Sequence, residues 1–185
     1  FNQWSAEEFA ARFTGKSADD EAKRKRSFEI IDMAGNAAIA KVTLDYSAVK
    51  FTDYMTLLKI EGEWKIINKT FYAEPKAVSA AKFVPTEAEI NAVKQASLDY
   101  VESVYEVNPS KAERSVHPEL VKRGFFVKQN ETAYSPHTMT FAQLVELTKN
   151  YNKNGSIAKD AVKEVVVYDV SDQTASAKVT AVWGI

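Results

Sequence analysis

Few side chains in this sequence stand where they could do chemistry, and Asp53 is the best placed. It lies in a β-branched and aromatic run, FTDYMTLLKI, which Glu61-Gly62 separates from a second such run, EWKIINKTFYAEP. A two-residue link of this kind closes a tight hairpin. Counting back from that turn sets Lys59 opposite Trp64, Leu57 opposite Ile66, Met55 opposite Asn68 and Asp53 opposite Thr70. Side chains alternate along a strand, so these residues share one face. That face is apolar near the turn and polar toward Asp53, Asn68 and Thr70. A carboxylate in apolar surroundings is a stronger base than one in water, which suits general-base chemistry, and the two neighbours would orient a ligand by hydrogen bonding. The plainer alternative, and the commoner one for a lone acid, is an aspartate at a strand end in water.

The other candidates each carry a structural alternative. His117 precedes Pro118 at a helix-to-strand corner. It could serve as a pocket acid or base, but a histidine bonded to backbone at such a corner is the more frequent case. Tyr100, Tyr105, Tyr134, Phe125 and Phe126 could line an aromatic pocket, with Tyr100 and Phe126 the candidates for ligand contact; such residues more often form plain core. Trp64 reads as a packing residue beside the hairpin turn. The basic run Lys23-Arg24-Lys25-Arg26 follows Asp19, Asp20 and Glu21 and reads as a solvated, charge-balanced loop rather than a phosphate or nucleic-acid contact. No phosphate loop, nucleophile elbow or zinc-protease motif occurs.

Bulk properties narrow the classes. There is no cysteine, so disulfides, thiolate metal sites and cysteine nucleophiles are excluded, and two histidines argue against a histidine-rich metal centre. A net charge of −1 gives no electrostatic case for nucleic acid or an anionic membrane. No run reaches transmembrane length. The expectation is a soluble protein without cofactor or metal, either cytoplasmic or exported with its signal outside the sequence shown, since the chain begins at Phe1.

The elements that must position Asp53 are legible in outline. Ser5 to Phe13 opens with a capping box, Ser5 and Glu8, and carries Phe9 and Phe13 on one helical stripe. Gly15 to Lys23 reads as loop. Strands follow at Phe28–Met33 and Ala38–Tyr46, joined by Ala34-Gly35-Asn36, and the Asp53 hairpin adds two more to make a four-stranded meander. Glu74 to Pro85 is a linker. Glu87 to about Val107 is the clearest helix, capped by Thr86 and Glu89, with Ile90, Val93, Ser97, Tyr100, Val101 and Val104 at helical spacing. A short helix at Ser110–Arg114, a strand at Arg123–Gln129, an irregular segment or short strand at Thr132–Thr138, a helix at Thr140–Tyr151 and strands at Val162–Val170 and Ala175–Ile185 complete the chain.

An internal repeat organises these elements. SFEIIDMAGNAAIAKVTLDY, starting at Ser27, aligns without a gap on EVVVYDVSDQTASAKVTAVW, starting at Glu164. The offset is 137 positions, Asp32 falling on Asp169 and the AKVT of residues 40–43 on that of 177–180. The capped helix at Ser5 likewise falls near the capped helix at Thr140. The sequence therefore reads as a window on a tandem repeat: 1–75 as the C-terminal part of a first unit, 76–85 as linker, and 86–185 as the N-terminal part of a second. If these parts stood alone, the hairpin of Phe51–Tyr72 would be available to complete the second unit, within the chain or across a dimer.

The element order of one unit, helices, strands, a helix, then four antiparallel strands, resembles the nuclear transport factor 2-like superfamily, which includes SnoaL-like polyketide cyclases, ketosteroid isomerase and scytalone dehydratase. Within it the sequence is similar to the bacterial family labelled "Putative lumazine-binding". TDYMTLLKIEGEWKIINKTF (52–71), EINAVKQASLDYVES (89–103), VHPELVKRGFF (116–126) and MTFAQLVEL (139–147) carry the resemblance. The resemblance implies an α+β fold, a cone-shaped and strongly bent antiparallel sheet packed on a long helix, here as two partial copies. It implies a pocket between sheet and helices and a tendency to dimerise through the outer sheet face. It does not choose a chemistry, and the lumazine label is not read as a ligand assignment. Three functions stay open: a non-catalytic module binding a small apolar ligand; an isomerase, dehydratase or cyclase using Asp53 or His117; and a dimerising interaction module, as a homodimer or intertwined chains.

Overall fold

The computed structural model describes residues 5–13, 15, 17–77, 83–127 and 133–183. Its element order is α1 (Ala6–Ala10), α2 (Ala18–Ala22), β1 (Lys25–Ala34), β2 (Ala37–Asp45), β3 (Val49–Ile60), β4 (Glu63–Pro75), α3 (Glu87–Tyr105), α4 (Pro109–Ser115), β5 (Val121–Val127), β6 (Tyr134–Thr140), α5 (Phe141–Thr148), β7 (Lys163–Ser171) and β8 (Thr174–Ala181). The fold is α+β with antiparallel sheets. The strand expected over Arg123–Gln129 is described as far as Val127, and residues 128–132, like linker residues 78–82, lie outside the described part.

The first four strands form one meander in the order β1-β2-β3-β4. Two bulges interrupt its ladders, between Ile30 and Asp32 on β1 and at the Thr56/Leu57 level of the β3–β4 pair. A bulge inserts an unpaired residue and bends the strand, which curves a sheet of long strands. Glu61 and Gly62 both have positive φ, 52° and 85°, as a type I′ hairpin turn requires.

Three capping boxes start helices where the sequence places them, at Ser5, Thr86 and Thr140. In each, the hydroxyl accepts the N–H of the residue three further on, and that residue's side chain accepts the cap N–H. The first helix stops at Ala10, shorter than the stripe suggests. Helix α2 falls inside the stretch read as loop. It has no apolar face, so periodicity could not reveal it; a Ser17 cap and the acidic first turn of Asp19, Asp20 and Glu21 form it instead.

The core lies around the C-terminal half of α3. Val101, Val104 and Tyr105 are buried there, joined by Leu144 of α5, Ala112 of α4 and Ile157. Val179 and Ala181 of β8 pack against the Val101–Tyr105–Ile157 cluster. One face of the β7–β8 hairpin therefore receives α3. Its other face meets the four-stranded sheet, where Asp169 takes the Lys41 ammonium and the Tyr54 hydroxyl. The β3–β4 hairpin stays with β1 and β2 and does not extend the β7–β8 sheet. It approaches the second unit face to face, not edge to edge, which is a different arrangement from strand completion.

Candidate functional site

The register of β3 on β4 decides what surrounds Asp53. The expected pairs Lys59 with Trp64 and Leu57 with Ile66 are present. The next pair is Thr56 with Asn68, so Ile67 is the bulged residue and every pair beyond it shifts by one. A one-residue slip moves side chains to the opposite face. Asp53 now pairs with Phe71, whereas Asn68 and Thr70 pair with Thr56 and Tyr54 on the other face. The structure does not bring Asp53, Asn68 and Thr70 together. In their place stands Lys69, whose Nζ lies 2.6 Å from Asp53 Oδ2 and 5.1 Å from the centre of the Phe71 ring.

Asp53 is 1% exposed, which overturns the reading of a carboxylate at a strand end in water. The Lys69 contact is an ion pair off hydrogen-bond alignment, so both carboxylate oxygens are buried without a hydrogen bond. Across the same face, Phe28, Ile30 and Phe71 remain 74%, 46% and 50% exposed. The matching face of β7–β8 is covered by α3. On the first sheet it is an open apolar surface holding one buried carboxylate and its part-exposed lysine.

The remaining candidates scatter. The Nδ1 of His117 accepts the N–H of Glu119 at 3.2 Å, the corner bond of a structural histidine. Tyr105 is buried and its hydroxyl donates to the Val182 carbonyl. Tyr100 packs beside it, with the Lys122 ammonium 5.6 Å from its ring centre. Phe126 is half-exposed and meets His137 edge-on at 5.4 Å, and Tyr134 is exposed. Trp64 is 38% exposed, on the open face rather than in a core. Tyr100 and Tyr105 thus stand on α3, whereas Phe126 and Tyr134 stand on the β5–β6 hairpin. Of the basic run, Arg24 and Arg26 turn to Glu21 and to the ring of Tyr46.

A second polar cluster joins residues more than a hundred positions apart and carries no local signal in the sequence. Tyr54 donates to Asp169 Oδ2 at 2.8 Å, and its oxygen lies 2.9 Å from Ser171 Oγ. With its one proton on Asp169, Tyr54 accepts from Ser171. Lys41 also holds Asp169. Burial pushes the Asp169 carboxyl up, but Lys41 and Tyr54 more than offset this and hold it below the usual aspartate value. Burial raises Tyr54, and Asp169 adds to that. An open cleft of about 320 Å³ lies alongside, lined by Glu29, Ile31, Lys41, Tyr168 and Asp169. The charges in this cluster are already matched, so it is built as a lock between elements. The signal for it lay in the repeat, which sets Asp32 on Asp169 and Lys41 on Lys178. Among the described residues no three His, Asp or Glu side chains gather as metal ligands, and no helix is long and apolar enough to cross a membrane.

Comparison with known proteins adds a family. The model of the family described as "Putative lumazine-binding" matches residues 1–72 and 88–185, two segments separated at the linker. The aldolase FrzH of Cladobotryum sp. is 30% identical over 56 residues, 29% of this chain and 45% of that protein. A crystal structure of an NTF2-like protein of unknown function from Shewanella baltica OS155 is 36% identical over 29% of this chain and 44% of its own, with a TM-score of 0.28. The chain spans less than half the length of each of these two relatives.

Proposed function

The chain belongs to the "Putative lumazine-binding" family of nuclear transport factor 2-like proteins, and we propose that it binds a small, largely apolar molecule on the Asp53 face of its four-stranded sheet. The observation that carries this reading is a carboxylate at 1% exposure, without a hydrogen bond, on a face whose large apolar side chains are open. Burying an ion is costly unless it is paired and hydrogen-bonded, and Lys69 supplies charge without alignment. A flat ligand bearing an N–H or O–H group would cover Phe28, Ile30 and Phe71 and, with the part-exposed Lys69 side chain turned aside, donate to Asp53. Pockets of mostly apolar lining with a few polar anchors are the usual form of such sites.

Native mass spectrometry of protein purified from its source tests for a retained molecule. Fluorescence titration with lumazine, a flat ring with N–H donors, tests the donor arm, and anilinonaphthalene sulfonate tests the apolar arm. Asp53→Asn should weaken lumazine at least roughly tenfold, the equivalent of about 1.4 kcal/mol, and leave the dye unchanged. Phe71→Ala should weaken both. Unaltered binding of both probes in both variants would remove this face as the seat.

A second reading is general acid–base catalysis by an isomerase, dehydratase or cyclase, in which Lys69, 2.6 Å from Asp53, would give a proton and Asp53 accept one. The aldolase FrzH carries a catalytic name, which is said of that protein. In this reading Asp53→Asn abolishes turnover of a bound substrate while its affinity stays within a few-fold.

A further inference from the structure

The repeat is written into the structure more closely than strand content alone would require. Every pair of the β7–β8 ladder is a pair of the β1–β2 ladder displaced by 137 positions, from Lys163 with Ala181 (Arg26 with Leu44) to Ser171 with Thr174 (Ala34 with Ala37). The bulges correspond too, at Ile31 and at Tyr168. So do the turns, where Gly35 and Asp172 both take positive φ, 57° and 24°.

The contacts between the two hairpins then show a reciprocity. Lys41 of the first pairs with Asp169 of the second. Lys178 of the second pairs with Asp32 of the first at 2.8 Å. Asp169 is the counterpart of Asp32, and Lys178 the counterpart of Lys41. Tyr54 of β3 adds a hydrogen bond to Asp169, and Tyr168, the bulge residue of β7, lies beside Asp32; the two tyrosines are not counterparts, so the exchange rests on the two lysine–aspartate pairs. Residue i meets j of the other unit while j meets i, the pattern of an isologous two-fold interface. Two hairpins stacked without such symmetry would pair unrelated positions.

We infer that the outer face of β1–β3 is a pseudo-two-fold docking surface whose partner is the second repeat of the same chain. The symmetry fits a face that pairs with its own kind, and here the like surface is supplied by β7–β8. Tethering both surfaces in one chain raises their effective concentration to the millimolar range for a short linker, far above that of a second chain in dilute solution. The homodimer expected from the family resemblance is replaced, at this face, by an internal pairing. The ligand face proposed above is the opposite face of the same sheet, so the two readings stand apart.

Zero-length carbodiimide cross-linking of the unaltered chain tests the inference, read by mass spectrometry after separation by size. The expected result is Lys41–Asp169 and Lys178–Asp32 linkages within the single-chain band, together with a light-scattering mass equal to that of one chain and constant on dilution. A dimer whose linked band alone carries these pairs would overturn it, as would absence of both linkages while Lys111–Glu102 cross-links normally. Charge exchange gives a second measurement. Lys41→Asp and Asp169→Lys should each lower the thermal midpoint, and the double variant should recover most of the loss. Strictly additive losses would count against the pairing.

Discussion

At the residue scale, Asp53 and Asn152 show two opposite uses of a buried polar group. Asn152 is buried and satisfied. Its Nδ2 donates to the carbonyls of Tyr105 and Ile157, each at 2.7 Å, and its Oδ1 accepts the Ile157 N–H at 2.8 Å. It ties the loop after α5 to the end of α3. Asn152→Ala strands those backbone groups and should cost about 3 kcal/mol, read as a lower urea midpoint at unchanged slope. Asp53 is as deeply buried but makes no hydrogen bond. Lys69 is 32% exposed and can turn to water when its partner is neutral. Asp53→Asn should therefore cost less stability than Asn152→Ala does, because the freed charge is not left buried. A loss as large as that of Asn152→Ala would make Asp53 a structural residue and remove the argument that it is kept for a ligand.

At the element scale, turns and caps carry much of the instruction. Glu61 sits at φ 52°, a conformation that asparagine and glycine adopt more readily than glutamate. Glu61→Asn should stabilise the protein by roughly 0.5 kcal/mol. Thr86→Ala should cost about 1 kcal/mol, because it opens the capping box at the start of α3. Both show as shifts in thermal midpoint. Each rests on a local signal, and such signals were legible: the Glu61-Gly62 turn, the three capping boxes and the α3 stripe stand where the sequence sets them. What was not legible follows from the physics. The bulge at Ile67 leaves no mark in an alternating pattern, because Ile66 and Ile67 are equally apolar and either could stand on the Asp53 face. That single ambiguity moved Asn68 and Thr70 away from Asp53 and brought Lys69 in. Helix α2 is hidden for the opposite reason, having a cap but no apolar face. The pairing of Lys41 with Asp169 depends on two segments far apart in the chain, and only the repeat hinted that the two hairpins are equivalent.

At the scale of the whole molecule, the contact between repeats should depend on pH in a defined direction. Lys178 and Tyr168 hold the Asp32 carboxyl below its ordinary value. At Asp169, burial opposes but Lys41 and Tyr54 prevail, again giving a lowered value. A carboxyl whose folded value is depressed contributes stability that is fully present above the unfolded value and is lost as pH falls through the folded one. The window therefore opens near pH 4, the ordinary aspartate value, and extends downward. Asp99, held low by Arg114, and Glu102, held low by Lys111, titrate in the same direction within the α3 region, so acid unfolding of the unaltered chain does not isolate the contact. A difference measurement does. Asp169→Asn should be less stable than the unaltered chain at neutral pH, because Lys41 loses its charge partner. The gap in thermal midpoint should narrow as pH drops below about 4, where the unaltered Asp169 also becomes neutral. Asp32→Asn should behave the same way, since the two carboxylates hold equivalent places. A gap that stays constant down the pH series would mean that the charge on Asp169 does not hold the repeats together, and that the packing of Tyr54 does so instead.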